Sequence, residues 1–334
     1  MSLENPKILR ILGDYWDIFT VDNKVYIWGF DGSVICLDWE KLKEYLKTNE
    51  TVVELKDIKN SINGIYQNPF KELHTDFATY NNKIYAVLDE GLYSATINTN
   101  NTNNSIKTET VEKIWDCPLF ALKIKSNGRV ALAGGEEGLF QYDILKKETG
   151  YIYKFHNYDS KIDQISKDHS SFVNWAHSSI FSSSNRGESY LAGFYWKDGQ
   201  INYKGILNES EIFGKNNSGE VSWAYRGNIY RTTSNGLEYI SFTQQKLQGN
   251  RQGQPFSEVK KVPFMPYKGK PLFAEVSMFG SIIECENALV VMENEKSFFN
   301  IPEPPTRWRV YPEDAIFKNH LHVIFEDYLK LYVF

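Results

Sequence analysis

The segment DFATYNNKIYAVLDEGLYSATI at residues 76–97 decides the fold, because it contains three strand patterns separated by two turn signals. Asn81 and Asn82 tolerate the positive φ angles of a two-residue hairpin turn, and residues 89–91 give the second turn signal. The flanking stretches are rich in aromatic and β-branched residues, which strands favour. A fourth strand is predicted at 106–114, after a polar loop. The segment therefore predicts a four-stranded antiparallel sheet.

The same pattern occurs along the whole chain. An aliphatic residue opens a strand, and a glycine or a residue in its place follows seven or eight positions later at a tight turn. The copies lie at 25–32, 84–91, 130–138, 180–187, 229–236, 282–289 and 321–328. Their opening residues are 59, 46, 50, 49, 53 and 39 positions apart. A strand-rich repeat of about 50 residues is typical of a β-propeller, in which each repeat is one blade.

The sequence thus predicts an all-β fold, a seven-bladed β-propeller with four antiparallel strands per blade, in which the 334 residues form one domain. The blades are expected at roughly 13–62, 73–115, 118–157, 171–213, 219–264, 271–301 and 306–334. The seventh copy has three strands, and a closed ring has to cover its open edges. We therefore predict that residues 8–12 supply the outer strand of the last blade. One short helix on the rim is expected within 42–62.

Composition and sequence argue against several classes of function. A net charge of -5 disfavours nucleic acid as a partner, because nucleic-acid binding needs a basic surface. No apolar run approaches the roughly 18 residues that span a bilayer, so no membrane association is expected. The three cysteines show no paired spacing, which argues against a disulfide framework and a zinc site. Since no secretory signal is visible, a cytoplasmic location is expected, with a processed form left open.

One turn resembles a motif of a known family. Residues 183–190, SSNRGESY, resemble the Asp-box of sialidase-like propellers, S-x-[DN]-x-G-x-[ST]-aromatic, with Asn185 where aspartate is usual. In that family the box is a structural turn far from the catalytic centre, so the resemblance implies a blade and no activity. The repeat as a whole resembles WD40 and YVTN-type propellers, although no copy carries the Gly-His and Trp-Asp pairs of WD40 repeats.

Candidate site residues lie at the ends of the predicted first strands, which line the channel of a propeller. Ligands usually bind at the two mouths of such a ring. The residues predicted to bind at the channel or rim are Trp16, Asp17, His74, Asp76, Trp175, His177, Trp223, Glu275 and Arg309. Aromatic rings beside carboxylates suit a stacked sugar or a clamped peptide. The same rings would also serve simply as packing between blades.

No nucleophile elbow, P-loop or dinucleotide motif occurs in the sequence. The leading hypothesis is therefore a non-catalytic module that binds a protein or peptide and needs no cofactor. The alternative is a carbohydrate-active or other small-ligand enzyme with its site at the mouth of the channel. Its acid and base would come from the carboxylates at the strand ends, which are Asp17, Asp76, Asp116 and Glu275. His320 and His322 share one strand face, but no third metal ligand is evident nearby, so a packing role is expected.

Overall fold

The structure is a computed structural model, and short strands joined by tight turns make up most of it. It describes residues 6–47, 50–98, 105–144, 162–197, 200–214, 219–234, 236–241, 256–262, 269–294 and 297–334. The predicted ends of blade 3, at 145–157, and of blade 5, at 263–264, lie outside the described residues.

The strand bounds follow the repeats. Up to the end of blade 2 they are β1 (Lys7–Leu12), β2 (Tyr15–Val21), β3 (Lys24–Gly29), β4 (Ser33–Asp38), β5 (Thr51–Glu54), β6 (Ile62–Gln67), β7 (Asp76–Tyr80), β8 (Lys83–Leu88), β9 (Gly91–Asn98) and β10 (Ser105–Trp115), of which β1 and β5 join blade 7. In blades 3 and 4 they are β11 (Ala121–Ile124), β12 (Arg129–Ala133), β13 (Leu139–Asp143), β14 (Ile162–Ser166), β15 (Phe172–Ala176), β16 (Ser179–Ser183), β17 (Tyr190–Lys197) and β18 (Gln200–Asn208).

The last three blades have a similar arrangement. Their strands are β19 (Ser222–Tyr225), β20 (Asn228–Thr233), β21 (Gly236–Ser241), β22 (Lys260–Val262), β23 (Pro271–Ser277), β24 (Gly280–Cys285), β25 (Ala288–Asn294), β26 (Ser297–Ile301), β27 (Arg307–Val310), β28 (His320–Ile324) and β29 (Tyr328–Val333). The described helices are α1 (Trp39–Leu42), α2 (Glu209–Phe213) and two 3-10 turns at Lys43–Tyr45 and Lys59–Ser61. Within the described residues, no helix is both long and apolar enough to cross a membrane.

Seven sheets form, and each is one blade of a ring. Blade 1 is β2-β3-β4-β6, blades 2 to 6 are each built from four consecutive strands from β7 to β26, and blade 7 has the order β27-β28-β29-β1-β5. The innermost strands contact one another in succession from β7 through β11, β15, β19, β23 and β27 to β2. The prediction of a seven-bladed β-propeller is therefore confirmed.

Turn residues explain why the strands end where they do. Asn81 and Asn82 have φ angles of 47° and 58°, the left-handed values that the hairpin between β7 and β8 requires. Gly91 has a φ of 141°, and a Cβ there would lie 2.0 Å from the carbonyl oxygen of Trp115. Only glycine avoids that clash.

The ring closes through the N-terminal strand. β1 pairs antiparallel with β29, in a register that runs from Lys7 opposite Val333 to Leu12 opposite Tyr328. This confirms the prediction that residues 8–12 complete the last blade. They are not its outer strand, however, because β5 pairs in parallel with the free edge of β1.

The excursion between the third and fourth strands of blade 1 corrects two predictions. Residues 42–62 were expected to hold one short helix. The helical stretch begins earlier, with α1 at Trp39–Leu42 continued by the 3-10 turn Lys43–Tyr45; a second 3-10 turn lies at Lys59–Ser61, and β5 crosses onto blade 7. The fourth strand of blade 1 consequently falls at Ile62–Gln67, beyond the predicted end of that blade. The excursion is held by apolar contacts, since Val53 and Ile58 join a buried cluster with Leu9 of β1.

The core is divided into layers between neighbouring blades. Between blades 1 and 2, the ring centroid of Phe77 lies 5.3 Å from that of Phe19 and 5.1 Å from that of Trp28. Corresponding buried clusters lie between each further pair of blades, including blades 7 and 1. Burial of these faces drives the blades together, and no single central core is needed.

We expect the Leu9→Ala variant to test this closure. Leu9 is fully buried between blades 7 and 1, so its truncation should lower the free energy of unfolding by about 2 to 5 kcal/mol. Leu12 lies on the same strand but is 36% exposed, and Leu12→Ala should cost about 0.5 kcal/mol or less. Urea denaturation followed by tryptophan fluorescence measures both. Equal losses in the two variants would show that β1 does not pack into the ring.

Candidate functional site

A cavity of about 610 Å³ opens on the face of the ring where the first strands of the blades begin. We call it the mouth cavity. The lining residues that matter below are Asp76, Phe120, Lys123, Glu136, Glu137, Phe172, Arg186, Phe273, Glu275, Glu284, Arg307, Trp308 and Arg309. They come from blades 2, 3, 4, 6 and 7. The cavity therefore lies over the end of the central channel, which is the place expected for a ligand.

Asp17 is the centre of a buried ion cluster beside the mouth cavity. Its Oδ2 accepts hydrogen bonds from Arg307 Nη1 and Arg309 Nη2, both at 2.7 Å. Its Oδ1 accepts from Arg309 Nε at 3.0 Å and from the backbone N–H of Ile18 at 2.7 Å. A bulge between Tyr15 and Asp17 interrupts the pairing of β2 with β3 at this point, and such bulges redirect side chains.

The ionisation of the cluster follows from its contacts. Burial alone would raise the pKa of Asp17, but the charges of Arg309 and Arg307 hold that pKa well below its ordinary value. His74 Nε2 lies 3.0 Å from Asp17 Oδ2. Burial lowers the pKa of His74, which leaves a neutral imidazole whose proton is assigned to Nε2 by this hydrogen bond.

Arg309 extends the cluster to the neighbouring blades. Its Nη1 donates to Asp76 Oδ1 at 2.7 Å, and Asp76 Oδ2 accepts from the backbone N–H of Leu122 on blade 3 at 3.0 Å. The guanidinium of Arg307 lies over the ring of Trp16, 4.5 Å from its centroid. One connected set of charge-assisted bonds thus joins blades 7, 1, 2 and 3, and such bonds are stronger than neutral ones.

A second set of contacts crosses the channel. Lys123 of blade 3 forms an ion pair with Glu275 of blade 6, and these blades are not neighbours in the ring. The ring centroid of Phe273 lies 4.7 Å from that of Phe172 on blade 4 and 5.4 Å from that of Trp308 on blade 7. These three rings form an apolar wall of the mouth cavity, which we call the aromatic wall.

Glu284 differs from the other carboxylates of the mouth cavity. Its Oε2 accepts a hydrogen bond from Trp308 Nε1 at 2.6 Å. It is in no salt bridge with any residue that the structure describes. Burial raises the pKa of Glu284, and the bond from Trp308 opposes that shift. At the rim, by contrast, Glu136 pairs with Arg186 Nη1 at 2.7 Å, and both side chains are well exposed.

The nine residues predicted from the sequence do not gather in one place. Asp76, Glu275 and Arg309 line the mouth cavity, and Asp17, His74 and Trp16 lie directly behind it in the ion cluster. The remaining three residues do not line the mouth cavity. They are Trp175, His177 and Trp223.

Strand geometry accounts for those three positions. His177, with a φ of 53°, occupies the turn after β15, at the opposite face of the ring. Trp223 is 1% exposed and packs between blades 5 and 6, so it is a core residue. Trp175 donates its indole N–H to the carbonyl oxygen of Lys123 at 3.0 Å and lies against Arg129, away from the mouth cavity. These three residues therefore do not belong to the site at the mouth cavity.

Two other residues of the site were not among those predicted from the sequence. Arg307 stands two positions before Arg309 on one strand, and strand alternation places both on the same side. This spacing of two arginines on a predicted strand could have indicated Arg307 as a site residue. Glu284 lies on a second strand, GSIIEC, where a charged residue in an apolar run was the only sign.

The two histidines considered for a metal are packed together. His320 Nδ1 lies 3.2 Å from His322 Nε2, and His322 Nδ1 lies 2.9 Å from the hydroxyl of Tyr311. Burial lowers the pKa of His320 to about 4. Both rings contact aromatic side chains, Trp39 and Phe317 for His320 and Tyr311 and Phe317 for His322.

Comparison with known proteins bears on the fold alone. No protein-family model matches the chain, and no curated protein matches it. Among solved structures, the computationally designed Ika8 protein aligns with a TM-score of 0.50 at 9% identity, over 97% of this chain and 99% of that one. The AfRom2 CNH domain aligns with a TM-score of 0.48 at 9% identity, over 77% of this chain and 80% of that one. The alignment with the designed protein spans nearly the whole of both chains and carries no ligand or activity.

We expect Asp17→Asn to destabilise the ring strongly. The substitution leaves Arg307 and Arg309 partly buried without their shared counter-charge, and breaking a buried ion pair costs about 3 to 5 kcal/mol. Asp89→Asn removes the same charge from an exposed turn and is the matched control, with an expected loss of about 0.5 kcal/mol or less. Urea denaturation at neutral pH measures the difference. A loss for Asp17→Asn no larger than that of the control would contradict the role given to the cluster.

The pH dependence of this difference has a definite sign. Because the folded protein holds the pKa of Asp17 well below the unfolded value of about 3.9, its contribution is present above that pH. It is lost as the pH falls through that value toward the folded pKa. The stability advantage of the wild type over Asp17→Asn should therefore be constant between about pH 5 and 7 and shrink below about pH 4. Repeated urea denaturation across this range measures it, and an advantage that grows on acidification would contradict the assignment.

Proposed function

We propose that this protein is a non-catalytic interaction module that binds a peptide segment of a partner protein in the mouth cavity. One observation carries the choice. The four strand-end carboxylates that would serve as catalytic acid and base are paired with cations, Asp17 and Asp76 with arginines, Glu275 with Lys123 and Asp116 with Lys113. A general acid or base has to reach the proton that it exchanges with its substrate, and these carboxylates are already occupied by contacts to cations.

The shape of the mouth cavity supports a peptide ligand. Its volume of about 610 Å³ accommodates a few side chains, within the roughly 300 to 1,000 Å³ typical of ligand pockets. Phe120 is 54% exposed and lines the same cavity as the aromatic wall. Aromatic anchors surrounded by a polar rim, here Glu136 and Arg186, are typical of binding hot spots.

A carbohydrate-active enzyme is the second candidate, and Glu284 is the observation that favours it. A carboxyl group with a raised pKa suits a general acid. Glycoside cleavage also needs a second carboxylate as base or nucleophile. Among the others that line the mouth cavity, Asp76, Glu136 and Glu275 are in ion pairs, and Glu137 is exposed on the rim. Because the mouth cavity offers no suitable second carboxylate among the described residues, the enzyme is the second candidate.

Selection of random peptides by phage display on the purified full-length protein tests the proposal. Peptides that bind in the mouth cavity should lose about tenfold or more in affinity to the Phe120→Ala variant, since a truncated aromatic anchor costs upwards of 1 kcal/mol. Phe30→Ala is the matched control. Phe30 is 55% exposed but does not line the mouth cavity, so its truncation should leave affinity unchanged.

Two results would reject the proposal. One is the absence of enriched peptides after selection, or binding that Phe120→Ala leaves intact. The other is hydrolysis of a panel of chromogenic glycosides that disappears in Glu284→Gln, which would establish the enzyme instead.

A further inference from the structure

Glu284 is the partly buried carboxylate of the mouth cavity that has no cationic neighbour. Within the described part of the chain it forms one hydrogen bond, from Trp308 Nε1 to Oε2, and Oε1 is bound to no described residue. The cavity's cations are already engaged. Arg309 and Arg307 are bound to Asp17, and Lys123 to Glu275. No cation among the described residues thus compensates a negative charge on Glu284.

The surroundings of Glu284 favour one kind of ligand. Phe273 lies directly opposite it on the neighbouring strand, so the two side chains share one face of blade 6. The aromatic wall of Phe172, Phe273 and Trp308 lines the same cavity. Aromatic faces attract cations, and the attraction increases as water is excluded. Burial of an unpaired carboxylate is unfavourable, as the raised pKa of Glu284 indicates, and a bound cation would relieve that cost.

We propose that this corner of the mouth cavity binds a cationic side chain, an arginine or lysine of the partner peptide, with Glu284 as its counter-charge and the aromatic wall against its stem. This inference rests on the proposed function and specifies the ligand chemistry of that site. Electrostatic complementarity supports it, because the lining cations Lys123, Arg186, Arg307 and Arg309 are each paired with a carboxylate. The charge left over is negative.

A neutral ligand that accepts a hydrogen bond from protonated Glu284 is the competing occupant. It would leave the aromatic wall to apolar contact alone, and it would respond to shape and not to charge. Charge is therefore the property that an experiment has to vary while shape stays constant.

The probe is N-acetyl-arginine methylamide, with N-acetyl-citrulline methylamide as its neutral counterpart of nearly equal shape. Each is titrated into full-length protein labelled with ¹⁵N at tryptophan, and the Trp308 indole N–H signal is followed because that group donates to Glu284. Trp308→Phe assigns the signal. We expect a saturable shift with the arginine derivative and at least about tenfold weaker binding of the citrulline derivative.

Glu284→Gln removes the charge and keeps an acceptor for the Trp308 bond. We expect it to abolish the preference for arginine over citrulline. Glu326→Gln makes the same change at an exposed turn on the same face and should preserve the preference. The comparison of the two ligands on the wild-type protein does not depend on how well either variant folds.

Equal affinities for the two derivatives, or no saturable shift, would overturn the inference. An unchanged preference in Glu284→Gln would do the same. The two proposals fail separately. If selected peptides need Phe120 but tolerate citrulline in place of arginine, the cation site fails and the peptide module stands. If the arginine derivative binds at Glu284 while no peptide depends on Phe120, the module fails and the cation site stands.

Discussion

The contact between the two ends of the chain is the constraint on which the structure depends. Asp17 of blade 1 and Arg307 of blade 7 are separated by 290 residues, and bringing such distant segments together carries a loop-closure cost. Backbone pairing of β1 with β29 closes the edge, but a strand pair alone could slip in register. The buried carboxylate resists a slip, because a displaced Asp17 would leave charges without partners. Backbone pairing and ionic contacts thus define the same seam.

The seam also determines the chemistry of the mouth cavity. Asp17 binds Arg307 and Arg309 at once, and Arg309 in turn binds Asp76, so two carboxylates and two guanidinium groups form one network of balanced charge. The acidic and basic residues that made catalysis plausible from the sequence are therefore used to hold blades together. The apolar rings and Glu284 remain for a ligand. The contacts that close the ring and the proposed binding site lie at the same end of the ring, so the residues used for closure are not free to bind a ligand.

Most of the fold could be predicted from local sequence, because each turn and each strand carries its own signal. Asn81 and Asn82 predicted a hairpin that the structure contains. The strand β5 could not be predicted, because its short sequence TVVE pairs with β1, which lies in a different blade from the neighbouring strands in sequence. For the site residues, too, local sequence predicts some positions and leaves others undetermined. Asp17 and Asp76, both predicted at the ends of first strands, share Arg309 in the structure, but whether Trp223 faces a cavity or the next blade depends on packing that alternation does not specify.

Comparison of equivalent positions in the repeats distinguishes Glu284 from the residues that serve packing alone. The position two residues after the opening residue of each copy is occupied, in order, by Ile27, Ala86, Leu132, Ser182, Arg231, Glu284 and Val323. All except Glu284 are buried between blades. Arg231 is charged, and Glu209 and Glu238 compensate it within the fold. A charge kept at this position for structure is thus expected to have a partner in the protein. Glu284 has a hydrogen bond from Trp308 but no cationic partner among the described residues, and it borders a cavity, so its counter-charge is expected to come from outside the chain.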